Sequence, residues 1–147
     1  MVWGRGRRDK ATATRFVAAV NARDLTTLAA MTTDDFAYID SWREGIVGRE
    51  KVLAAVEALF ASDPDFAIDV ERMSFRNPHV LMSGTISSTL FAESRRAVWR
   101  AICDGDRLAE WQSWAEGGPP PMSRTFAPKE VQDLSDRAID LPDPNEV

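Results

Sequence analysis

Asp40 is the carboxylate best placed to do chemistry. It follows Phe36 and Tyr38 at steps of two in Asp34-Asp35-Phe36-Ala37-Tyr38-Ile39-Asp40-Ser41-Trp42. In a strand, that spacing puts Phe36, Tyr38, Asp40 and Trp42 on one face and Ala37 and Ile39 on the other. A carboxylate among aromatic groups loses hydration, which raises its pKa and suits it to general acid/base work. The structural alternative is an acid at a strand end that caps a loop or pairs with Arg43. A second group is Arg100, flanked by Val98 and Ile102 on its own face, with Glu110 and Gln112 sharing a face of a later strand. With Asp40 these are the residue types of a carboxylate–arginine–carboxylate relay, but no spacing here fixes one. The alternative for Arg100 is a salt bridge on an outer sheet face or at a dimer interface.

The remaining reactive residue types have weaker contexts. His79 is the one histidine and follows the turn pair Asn77-Pro78. With one His and one Cys, a metal centre has no sequence support, and no cofactor is expected. Cys103 stands beside Asp104-Gly105 and reads as a small strand residue rather than a nucleophile. No nucleophile-elbow motif surrounds any serine. Gly4-Arg5-Gly6 is no phosphate loop, because no strand precedes it and no Lys-Ser or Lys-Thr follows.

The elements that must position Asp40 are legible from periodicity. Residues 9–22 read as a helix with the stripe Ala13, Phe16, Val17 and Val20. Asp24 is a good N-cap for a second short helix containing Leu25, Leu28, Ala29 and Met31. The Asp40 strand follows, then a loop bracketed by Gly45 and Gly48. A third helix runs from Arg49 to Ala61, with the stripe Val52, Leu53, Val56, Leu59 and Phe60, and Asp63-Pro64-Asp65 ends it. Four strands come next: Phe66 to Arg76, His79 to Phe91, Arg96 to Cys103 and Arg107 to Ala115. Asn77-Pro78 and Asp104-Gly105 are turn signals between them. Gly84 marks a bulge or a close backbone approach. Consecutive strands with short turns predict an antiparallel meander, with the earlier strand paired at its edge. Helices first and sheet second is an α+β order.

Composition bounds the rest. The chain has 147 residues, enough for one domain and one core; 44% are apolar and 28% charged, with a formal net charge of -5. That charge argues against nucleic acid as a partner, and the short apolar runs argue against a membrane. A single Cys permits no intramolecular disulfide, which fits a reducing cytoplasm. Residues 1–8 read as a flexible basic N-terminus. Six of the eight prolines follow residue 118, so residues 117–147 read as a Pro/Gly-rich arm, with a possible short helix from Pro128 to Ile139. Five Trp and seven Phe stand against one Tyr, a mix that favours bulk over hydroxyl donors.

Residues 9–116 resemble the nuclear transport factor 2-like superfamily, in its SnoaL-like branch of polyketide cyclases and steroid isomerases. The motifs are Asn21-Ala22-Arg23-Asp24-Leu25 at the end of the first helix, Thr33-Asp34-Asp35-Phe36, Gly48-Arg49-Glu50 before the third helix, and Asp104-Gly105 followed by Leu108 and Trp111. The resemblance implies a curved, mostly antiparallel sheet wrapped around three helices, a cone with an internal pocket, and a homodimer formed through the outer sheet face. It places the general base at Asp40. It also exposes two departures: Phe16 stands where the isomerases keep a tyrosine, and Trp99 stands near where they keep a protonated aspartate. Loss of one such oxyanion donor typically lowers the rate about 10²–10³-fold, so isomerisation by that mechanism is not expected. The expectation is a cone binding a small apolar or aromatic molecule, lined by Phe16, Val20, Phe36, Tyr38, Trp42, Val56, Trp99 and Gln112. The alternatives are an isomerase, cyclase or dehydratase using Asp40, and a dimerisation domain whose pocket is filled by side chains.

Overall fold

A computed structural model describes residues 2–147. Helix α1 (Val2–Asn21) buries Ala13, Phe16, Val17 and Val20, the predicted stripe. It begins well before residue 9, so residues 2–8 are helical turns; Met1 lies outside the described residues. Gly6 explains part of this. It is buried against the Phe75 ring, where a Cβ would lie 2.9 Å from Cδ2. Arg5 then pairs with buried Asp9 at 3.4 Å.

The segment Asn21 to Leu25 is a junction of three elements. The Asn21 side chain both donates to the Ile68 carbonyl at 2.8 Å and accepts from the Ile68 N–H at 2.9 Å. Arg23, in the left-handed region at φ 56, donates to the carbonyls of Phe60, Asp63, Pro64 and Phe66. Those carbonyls lie at the open end of α3 and just beyond it. Asp24 accepts from the Thr27 N–H and caps α2 (Leu25–Ala30).

Strand β1 (Thr32–Ile39) stops one residue before Asp40. Arg43, at φ 61, closes the turn that follows. The expected loop at Gly45 is instead strand β2 (Glu44–Val47), antiparallel to β1. At four residues, β2 is too short for alternation to reveal. Helix α3 (Arg49–Ser62) is fixed to β1 by Arg49, which donates to the Thr32 carbonyl at 3.0 Å and pairs with Asp34. Strands β3 (Ala67–Arg76), β4 (His79–Ser87), β5 (Arg95–Asp104) and β6 (Arg107–Ala115) form the antiparallel meander. β4 ends earlier than expected and leaves Ser88 to Ser94 as a loop. β1 lies parallel to β6, at the meander's edge. The sheet order is β3-β4-β5-β6-β1-β2-β7, with β7 (Gln132–Asp133) from the C-terminal arm.

The fold is therefore α+β, with a curved, open, mostly antiparallel sheet around the helices. Bulges help it curve. Register slips between Val70 and Arg72, opposite Gly84, and again between Ile102 and Cys103. A Cβ on Gly84 would sit 1.8 Å from the Asp69 carbonyl oxygen, so only glycine fits that approach. The bottom of the cone is filled by rings in series. Centroids are 6.1 Å apart for Phe36 and Phe16, 5.0 Å for Phe16 and Trp111, and 6.4 Å for Trp111 and Trp99.

The outer face is covered as well. The helix expected from Pro128 to Ile139 does not form; a single 3₁₀ turn (Pro128–Glu130) and β7 replace it. Its apolar spacing was weak, and bonds to the sheet hold the chain extended. β7 pairs with β2, Leu134 is buried, and the segment beyond crosses the sheet as a strap. The strap meets a polar cluster. Arg100 is fully buried, 2.6 Å from Glu110, and donates to Gln112 Oε1 at 2.9 Å and the Arg137 carbonyl at 3.1 Å. Arg137 donates to Glu110 at 2.7 Å. Gln112 exchanges both amide bonds with the Ile139 backbone. Further on, Arg72 and Arg76 of β3 donate to the Asn145 and Glu146 carbonyls. The chain's own arm thus crosses part of the face on which the resemblance places a second copy.

His79 borders this cluster, with Nδ1 3.4 Å from the Arg100 guanidinium. Burial, then the Arg100 charge, hold its pKa below the usual 6.5, with Glu110 partly opposing. The unfolded chain therefore takes up the proton first, so stability is full above the unfolded value and falls as pH drops through it toward the folded one. Thermal melts at pH 7.5 and 5.5 should show a loss on acidification that His79→Gln reduces. An equal loss in the variant would assign the acid sensitivity elsewhere.

Candidate functional site

Above the ring series the cone is open space. A cavity of about 410 Å³ is floored by Trp99 and Trp111 and walled by Tyr38, Phe66, Ile68 and Ile86. That volume lies in the usual range for small-molecule sites. The loop after β4 supplies Ser88 to Phe91, and the arm supplies Pro119 to Met122, Thr125 and Phe126. The consecutive prolines cannot continue β6, so the chain leaves the sheet and returns across the opening as helix α4 (Met122–Phe126).

Asp40 lines this cavity and is buried. Its carboxylate is engaged on both oxygens. Oδ1 accepts from the Trp42 N–H at 2.8 Å and the Glu44 N–H at 3.4 Å, and Oδ2 accepts from the Ser123 hydroxyl at 2.7 Å. The first two bonds hold the turn between β1 and β2. The third fastens α4. Arg124 adds a two-pronged contact to Glu44 at 2.8 and 2.9 Å, and its guanidinium lies 4.9 Å from the Trp42 ring centroid. That contact holds the Glu44 carboxyl below its ordinary range.

Inside the cavity, Tyr38 Oη and Ser113 Oγ are 3.0 Å apart. Tyr38 faces β6 directly, in register with Trp111. Burial pushes its phenol up to about 12, with Ser113 opposing and Asp40 adding to the rise. Across the cavity, Asp63 accepts from the Ser88 hydroxyl and from the Thr89 N–H at 2.9 Å. Burial raises its pKa, but the hydrogen bonds together outweigh that and leave it lowered. No Lys, Arg or His occurs among the described residues that line the cavity.

Of the residues expected around the ligand, Tyr38, Asp40 and Trp99 meet there. Phe16, Val20 and Phe36 belong to the packed core below it, and Val56 packs against that core. Trp42 is 54% exposed under Arg124. Gln112 is on the opposite sheet face, because Tyr38 and Trp111 alternate with Ile39 and Gln112 along their strands. Arg100 and Glu110 share that outer face, so they form no relay with Asp40. Ser113, Asp63 and Ser123 were not singled out by sequence; the parity shared by Trp111 and Ser113 was the available signal for Ser113. Cys103 is buried, its thiol pushed up to about 12 by burial and by Asp9, and stays protonated. Among the described residues, no group of three His, Cys, Asp or Glu converges to hold a metal ion. None of the helices described is long and apolar enough to cross a membrane.

Comparison with known proteins identifies the family. The model of the SnoaL-like domain matches residues 13–122, and the chain belongs to that family. The fold is shared with an LEH-like epoxide hydrolase of M. tuberculosis, at TM-score 0.67 and 16% identity over 76% of this chain and 84% of that one. A protein of unknown function from Cytophaga hutchinsonii, nuclear transport factor 2-like, gives 0.62 and 12% over 73% and 88%. A hypothetical protein with a ketosteroid isomerase-like fold from Catenulispora acidiphila, solved with trimethylamine, gives 0.62 and 14% over 70% and 83%. At these identities the likeness shows the fold alone. No curated protein matches the chain.

The Asp40–Ser123 bond joins a buried carboxylate to a buried hydroxyl, a class worth about 1.5–3 kcal/mol. Ser123→Ala should speed hydrogen exchange of the Thr125 and Ala127 amides by tenfold or more while β4 and β5 exchange as before. Unchanged exchange in α4 would show that the bond does not fasten it.

Proposed function

We propose that this chain binds a small, neutral, apolar or aromatic molecule inside the cone. The observation that carries the reading is the cavity of about 410 Å³ over Trp99 and Trp111, roofed by α4. Flat rings match flat walls, and aromatic pairs add about 0.5–1.5 kcal/mol beyond the area they bury. An enzyme using Asp40 as acid/base is the competing reading, since the carboxylate lines the same space. Its bonds to Ser123, Trp42 and Glu44 favour a role in holding the turn and the roof. The cavity volume speaks against a pocket filled by its own side chains. A single cysteine, with no intramolecular disulfide to form, fits a reducing cytoplasm, the location we propose.

A ligand that binds only the folded state at a hundredfold excess over Kd adds about 2.7 kcal/mol. For a chain of this length that is roughly 5–10 °C in melting temperature. A thermal-shift panel of aromatic phenols and ketones, steroids, fatty acids and aliphatic alcohols should give such shifts for flat ring compounds. No shift with any member would remove the proposal.

A further inference from the structure

Resting on that reading, we infer that the Tyr38–Ser113 hydroxyl pair selects ligands carrying an uncharged oxygen acceptor, a ketone, ester or phenol oxygen, on a flat apolar body. The argument is a count of protons. Two hydroxyl groups have two protons and make one bond to each other at 3.0 Å. Whichever oxygen donates, the other keeps one O–H free, and both are only partly buried on the cavity wall. A ligand oxygen that accepts this proton satisfies a donor that an all-hydrocarbon ligand would leave without a partner.

The charges around the cavity narrow the class further. Asp40 and Asp63 are the carboxylates on its wall, and protein donors engage both. With no cation among the described lining residues, an anionic ligand meets two negative charges and no counter-charge. A cationic one must compete with the donors already in place. The pair itself stays a donor at any physiological pH, because the phenol holds its proton. Ser113 is in register with Trp99, so the oxygen would be fixed at the edge of the ring platform.

Equilibrium dialysis of naphthol, naphthalene and naphthoate at pH 7.5 tests this. Naphthol should bind about fivefold or more tightly than naphthalene, with naphthoate weakest. Each single variant keeps one hydroxyl, so the informative one is Tyr38→Phe with Ser113→Ala. In it the naphthol-to-naphthalene ratio should fall toward one. Equal binding of naphthol and naphthalene to the natural chain would overturn the anchor and leave the pocket reading standing. Binding of none of the three would remove both. Should the double variant fail to fold, the comparison on the natural chain still decides.

Discussion

Strand β5 is dry on both sides. Ala97 to Ala101 are buried without interruption, so residues pointing into the cone and residues pointing out of it are equally removed from water. A sheet buried on both faces must be covered twice. The helices and the ring series cover the inside, and the C-terminal strap covers the outside. The rest of the architecture follows from this. Arg100 can be carried on such a strand only because Glu110, Gln112 and the Arg137 carbonyl meet it there, since an unpartnered buried guanidinium would be prohibitively unstable.

The same constraint shapes the site. Filling the bottom of the cone with Phe16, Phe36 and Trp111 leaves the upper part to be closed by something that comes from outside the core. The arm does this, first as α4 over the opening and then as the strap behind the sheet. Asp40 links the two halves of the arrangement. It lies at the end of β1, its Oδ1 holds the turn into β2, and its Oδ2 holds α4. The Tyr38 and Ser113 hydroxyls give the cavity a polar corner beside its aromatic floor.

Much of the fold was legible because its signals are local. The α3 stripe, Asp24 as a cap, and the turns Asn77-Pro78 and Asp104-Gly105 each depend on a few neighbouring residues. The Asn21–Ile68 and Arg49–Asp34 contacts give the family motifs a physical reason. What was not legible depends on distant partners. β2 is too short to show a period, and the arm is held straight by bonds to Arg100, Gln112 and β2 that its own sequence does not announce. The site divides in the same way. Strand parity placed Asp40 with Tyr38. The hydroxyl pair spans 75 residues and exists only because β1 lies parallel to β6. Gln112 was placed inside because parity alone does not say which side of a strand faces the helices.

The central claim is that the cavity is a binding site whose polar corner is the Tyr38–Ser113 pair. A crystal structure of the chain soaked with naphthol tests it most directly. The account predicts the rings over Trp99 and Trp111, beneath α4, with the naphthol oxygen within hydrogen-bond distance of Tyr38 Oη or Ser113 Oγ. An empty cavity at saturating naphthol, or a naphthol bound there with its oxygen turned away from both hydroxyls, would contradict it.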